Sequence, residues 1–212
     1  MSDPTLARTE RAALATLFQR VGPDAPTLCE GWNSRDLLHH LLVRERNPLA
    51  SVGQFVPPLH GLTDRAVAEY AARPWSSLVA ELRSGPPMWH PFSWGPVDAR
   101  VNGLEFFIHH EDVRRGGDDW EPRVLDAATE DQLRAALRSG FVKLLARRLP
   151  VGVVAVLPDG SRTTVRSGDP QVEVVGEPGE FILWLAGREK VQLSFDGPAD
   201  AVTRLRAAVR SM

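Results

Sequence analysis

The clearest pattern in the chain is a run of five helical turns with two stripes. From Val97 to Arg115 the sequence reads VDARVNGLEFFIHHEDVRR. At about 100° per residue, Val97, Val101, Leu104 and Ile108 share one apolar face. Beside them runs a polar file, Asp98, Asn102, Glu105, His109 and Asp112, with Phe106 and Val113 on its far flank. Pro96 suits a first helical position and Gly116-Gly117 ends the run. A polar strip held between apolar flanks is not the pattern of a plain solvent face.

Before this helix the periodicity predicts others. Pro4 to Arg20 carries Leu6, Leu14, Leu17 and Phe18, with Asp3 placed to cap it. Asn33 and Asp36 form a start signal for a second helix, bearing Leu37, Leu38, Leu41 and Leu42 and ending near Asn47-Pro48. Glu45 falls on the leucine side, where only pairing with an arginine accounts for it. Ser51 to Gly61 reads as a connection, and Leu62 to Gly85 as two helices broken at Arg73-Pro74. After Gly117 a polar linker leads to a long helix, Leu125 to Leu149. The period then changes from helical to alternating. Val151–Leu157, Arg162–Arg166, Gln171–Val175 and Val191–Phe195 read as strands, with helices at Pro178–Ala186 and Pro198–Ser211. The fold class expected is α+β: a helical domain over residues 1–120, then a small α+β domain over 121–212.

Composition adds exclusions. Hydrophobic residues make up 43% and charged residues 25% of the 212, and the formal net charge is −2. That balance gives no case for nucleic acid or an anionic membrane as partner. No stretch approaches the roughly 20 apolar residues of a membrane span. The opening MSDPTLARTE lacks the apolar centre of a signal peptide, so a cytoplasmic location is expected. One cysteine, Cys29, excludes an internal disulfide and any multi-cysteine metal site.

The chemistry lies in the polar file. Glu105 and His109 are four residues apart, so their side chains rise from adjacent turns and can grip one divalent cation. The same spacing also gives commonplace surface contacts. A third ligand can come from His39 or His40, if the second helix is a neighbour. Those two flank the leucine stripe on opposite shoulders, and periodicity leaves the choice open. Asp112 is placed either to support a ligating imidazole or to lie exposed at the helix end, and His110 to face the surface or to support the ligands from behind. Cys29, just before the second helix, offers a rival reading as a nucleophile near a helix N-terminus.

Three blocks, WNSRDLLHHL around His40, LEFFIHHEDVRR around His109, and SGDPQVEVVGEPGEFILWLAGR from Ser167 to Arg188, carry a resemblance across nearly the whole chain. Together they resemble the DinB-like mycothiol-dependent maleylpyruvate isomerase superfamily, and within it an actinobacterial group of metal-binding proteins. The arginine-rich composition, with only Lys143 and Lys190 as lysines, suits a GC-rich genome. The resemblance implies a DinB-like four-helix bundle followed by a sterol-carrier-like α+β domain. It implies that His40, Glu105 and His109 hold a divalent metal, zinc first among the candidates. It implies that Arg188, in the Gly-Arg end of the third block, reaches the cleft as a catalytic residue. Mycothiol is the implied thiol cosubstrate, acting on a small electrophile by isomerisation or S-transfer. The alternative expectation is a metal-binding or ligand-binding protein without turnover.

Overall fold

The computed structural model describes residues 5–53, 56, 58, 60–87 and 102–208. The chain divides into two compact units, Met1–Trp120 and Glu121–Met212. Among the described residues no helix is long and apolar enough to cross a membrane.

The first unit is helical. Its elements are α1 (Leu6–Val21), α2 (Ser34–Arg46), α3 (Pro48–Gly53), α4 (His60–Ala71), α5 (Trp75–Ser84) and α6 (Gly103–Arg114). α1 is capped by Thr5, whose hydroxyl accepts from Arg8 N, and Asp3, the expected cap, lies outside the described residues. The start of α2 is a full capping box. Asn33 Oδ1 accepts from Asp36 N at 3.1 Å, and Asp36 Oδ2 accepts from Asn33 N at 3.0 Å. Part of the expected Ser51–Gly61 connection is helical, in α3 and at the start of α4. The break at Arg73-Pro74 separates α4 from α5. The expected turns from Val97 to Val101 lie outside the described residues.

One core holds α1, α2, α5 and α6 together. Leu14 and Phe18, Leu37, Leu38, Leu41 and Leu42, Leu78 and Leu82, and Phe106 are fully buried in it. Each such side chain contributes about 1.5–3 kcal/mol by leaving water. α1 packs closely on α6 and α5, and α2 on α3, α4 and α5. α2 and α6 are not among the closely packed pairs, and polar side chains bridge the seam between them.

That core also carries charge. Glu45, on the leucine side of α2, meets Arg11 of α1, whose Nε donates to Glu45 Oε1 at 3.1 Å. The Arg11 guanidinium also lies 4.5 Å from the centre of the Phe106 ring. His110 is not at the surface: it is buried, with Nδ1 2.7 Å from Glu10 Oε2. Sequence periodicity missed this because α1 packs along the very face His110 occupies.

The second unit contains α7 (Ala127–Ala136), α8 (Gly140–Ala146), β1 (Gly152–Val156), β2 (Arg162–Arg166), β3 (Gln171–Val175), α9 (Pro178–Leu185), β4 (Ser194–Asp196) and α10 (Ala199–Ala207). The long helix expected over Leu125–Leu149 is two helices. Ser139 accepts from Val142 N at 3.2 Å and starts a new one, a bond that competes with continuation. The fourth strand lies later than expected, at Ser194–Asp196.

The sheet order is β2-β1-β3-β4, with β1 parallel to β3 and the outer pairs antiparallel. The chain therefore crosses beneath the start of β1 between β2 and β3. The SGD block, Ser167–Asp169, makes that crossing. A Cβ on Gly152 would stand 2.3 Å from Gly168 O, so only glycine permits the backbones to pass. The apolar residues of α9, PGEFILWL, are buried on every side, which explains a run with no helical stripe.

Candidate metal centre

α2 and α6 bring three ligand-type side chains to one point of the first unit. One ligand atom each from His40, Glu105 and His109 lies within 4.8 Å of the others. His40 Nε2 is 3.4 Å from Glu105 Oε1, and His109 Nε2 is 3.3 Å from the same oxygen. The imidazole rings are 5.3 Å apart and nearly perpendicular. Bond lengths of about 2.0–2.1 Å to nitrogen and oxygen place tetrahedral neighbours about 3.3–3.4 Å apart. Both nitrogen–oxygen separations are thus those that a small tetrahedral cation requires. Two imidazoles and one carboxylate are also a donor set that suits zinc.

His39 points elsewhere. Its ring stacks beside Tyr70 of α4, with centroids 6.4 Å apart, away from this cluster. Arg188 belongs to the second unit. Its backbone N–H donates to Leu183 O at 3.0 Å, and its Nη1 donates to Ala186 O at 2.6 Å, so the Gly-Arg motif closes α9. His60 opens α4 and is exposed, while His90 lies outside the described residues.

A second group, Cys29, His109 and Asp112, adjoins the first. His109 Nδ1 lies 2.8 Å from Asp112 Oδ2, and Cys29 Sγ donates to the same oxygen at 3.2 Å. A nitrogen–oxygen distance of 2.8 Å is a hydrogen bond and too short for two ligands on one tetrahedral ion. This group therefore supports His109 from behind, the usual arrangement for a ligating imidazole.

A loop fixes Cys29 there. Leu28 N donates to Asp112 O at 3.0 Å, and Cys29 N donates to Thr27 Oγ1 at 3.1 Å. The loop reaches the end of α6 because Gly116 lies against it: a Cβ there would be 2.0 Å from Pro26 O. Trp32 closes the same loop. Its ring centroid is 5.3 Å from that of His40, and at 39% exposure it forms an apolar wall beside the cluster.

Burial and charge act oppositely on the three groups. Burial opposes the charged form of Glu105, yet His109 and His40 more than offset it and hold the carboxyl well below the usual carboxylate range. Burial also opposes a charged His109, but Asp112, Cys29 and Glu105 raise its pKa well above the ordinary value. For His40 burial prevails over Glu105 and the pKa is lowered. These surroundings favour the neutral form of His40, the ionised form of Glu105 and the protonated form of His109. A cation binding there must displace the His109 proton.

Sequence reasoning did not single out two residues of this site, Arg44 and Trp32. Arg44 Nε lies 3.4 Å from Glu105 Oε1. Its spacing from His40, one turn, was the available signal.

Comparison with known proteins bears on this arrangement. A search of curated proteins finds no match. Among solved structures the chain is similar to a mycothiol-dependent maleylpyruvate isomerase, with a TM-score of 0.60 and 16% identity over 92% of each chain. A histidine-to-alanine mutant of such an isomerase gives 0.61 and 15% over the same shares. These likenesses show a shared fold. Residues 7–114, which span α1 through α6 and hold the whole cluster, match the family profile described as the mycothiol maleylpyruvate isomerase N-terminal domain. The chain belongs to the mycothiol maleylpyruvate isomerase N-terminal domain family.

Proposed function

We propose that the protein is a divalent-metal-dependent enzyme that uses a low-molecular-weight thiol, mycothiol, to isomerise or S-conjugate a small electrophile. The observation that carries this reading is the convergence of His40 and His109 on one oxygen of Glu105, at nitrogen–oxygen separations of 3.4 and 3.3 Å that suit a tetrahedral cation. Family membership supports the thiol and the electrophile class. In the same reading the first unit is a DinB-like four-helix bundle built on α1, α2, α5 and α6. The second is a sterol-carrier-like domain, and Arg188 binds an anionic group of the substrate.

A bound zinc ion would supply a positive centre that keeps an external thiol in its nucleophilic thiolate form. The chain's own residues do the rest. Asp112 holds the Nδ1–H of His109, so that its Nε2 lone pair points into the cluster. Glu105 presents one oxygen to both imidazoles. Trp32 shields one side from water and offers an apolar surface to a substrate carbon skeleton. Cys29 donates to Asp112, a supporting role that leaves the nucleophile to come from outside.

The test begins with metal content by elemental analysis of untagged protein beside Glu105→Ala. About one equivalent in the wild type and little in the variant is expected for a three-ligand site. Metal-loaded protein is then given mycothiol and maleylpyruvate, with product followed by absorbance. Metal uptake without any thiol-dependent turnover, across maleylpyruvate and other small electrophiles, would leave a metal-binding protein. No metal in either variant after zinc addition would sink the proposal.

A further inference from the structure

Arg44 lies one turn beyond His40 on α2, and its side chain turns inward rather than into solvent. It is 14% exposed, against 82% for Arg65 in the surface pair with Glu69. Its Nε faces Glu105 Oε1 at 3.4 Å, the same oxygen that both imidazoles approach. Its Nη1 donates to Asn102 Oδ1. Asn102 is fully buried beside the start of α6, in helical backbone conformation, and its side chain makes no cap bond. Its carbonyl oxygen is instead directed at Arg44. A helix-end arginine serving only the dipole of α2 would not require such an anchor.

The charge of the site depends on this residue. With both imidazoles neutral, a divalent ion together with Glu105, Asp112 and Arg44 leaves one net positive charge. Removing Arg44 leaves none. A centre with net positive charge in a poorly solvated seam favours an anion as its next ligand over a neutral molecule.

We propose that Arg44 is the positioning residue of this centre: it aligns Glu105 through Oε1 and supplies the charge that makes the open position select an anion, a thiolate among them. The inference rests on the metal reading above. It assigns Arg44 the counterpart of the role Asp112 has behind His109.

The experiment loads cobalt(II) into the wild type, Arg44→Gln, Arg44→Lys and Asn102→Ala, and titrates each with azide and with a low-molecular-weight thiol. Visible absorption reports both cobalt uptake and the change of ligand. Arg44→Gln is expected to weaken azide binding about tenfold and to alter the cobalt spectrum, because the carboxylate loses its orienting partner. Arg44→Lys keeps the charge and is expected to restore azide binding to within about threefold of wild type, with the spectrum still altered. Asn102→Ala removes one anchor of Arg44 and is expected to fall between. Wild-type azide affinity in Arg44→Gln overturns the proposal. If Arg44→Gln does not fold, unchanged azide affinity and spectrum in Asn102→Ala overturn it instead. A wild type that takes up no cobalt removes the metal reading itself, and is recognised by the absence of any visible band.

Discussion

Asp112→Asn probes the centre with the least change of shape. Asp112 is completely buried, and its Oδ2 serves both His109 Nδ1 at 2.8 Å and Cys29 Sγ at 3.2 Å. Asparagine keeps an acceptor there and removes one negative charge. Two consequences follow with opposite signs. The imidazole of His109 becomes a weaker ligand, and loss of such a supporting carboxylate typically costs about 10–100-fold in metal affinity, or about 1.4–2.7 kcal/mol. Yet Asp112 is also the leading attraction that raises the His109 pKa against burial. Its removal lowers that pKa, so protons compete less for the site. In the wild type, metal affinity is full above the raised His109 pKa and falls about tenfold per pH unit below it. In the variant the plateau is lower and the fall begins at a lower pH. The two curves therefore converge as the solution is acidified. Competition with a chromophoric chelator across mildly acid to mildly alkaline pH measures both curves. Parallel curves, or an unchanged plateau, would refute the argument that Asp112 acts through His109.

Three other outcomes are expected. Gly116→Ala brings a methyl group onto Pro26 O, and overpacking of this kind costs about 1–3 kcal/mol, so the melting temperature should fall and Trp32 fluorescence should change as its loop shifts. Glu45→Gln removes the charge of a buried partner of Arg11 and should cost about 3–5 kcal/mol in urea unfolding, while the joint change Arg11→Met and Glu45→Leu should recover most of it. Arg188→Ala should lower turnover of an anionic substrate and leave metal content unchanged in elemental analysis, since Arg188 belongs to the other unit.

Much of the helical unit was legible because its signals are local. The Asn33 and Asp36 box and the break at Arg73-Pro74 each act within one helical turn. The Glu105–His109 spacing was equally plain. What sequence could not supply was the neighbour of each polar residue. His110 has the composition of a surface residue until Glu10, 100 positions earlier, is placed against it. The choice between His39 and His40 turns on which shoulder of α2 faces α6, a question of helix rotation that a symmetric leucine stripe leaves undecided. The sequence does not mark the break at Ser139-Gly140, because the apolar spacing of Leu133, Leu137 and Val142 continues through it, whereas the cap bond stops the helix.

The burial of α6 gives a reason to read its polar residues as functional. His109, His110, Glu111, Asp112 and the following Arg115 all lie below 7% exposure. Burying charge is unfavourable even when paired, and apolar side chains of similar size often give equal or greater stability. Glu10–His110 and Arg11–Glu45 tie α1 to α6 and to α2, while Glu111 takes both Arg114 and Arg115 at the end of α6. The trio at the seam is different. Both imidazoles converge on a single carboxylate oxygen, and Arg44 approaches that oxygen too. Three nitrogens gather on one oxygen, with Asp112 held behind one and Asn102 behind another, and the metal reading predicts that a cation takes its place between the imidazoles and that carboxylate.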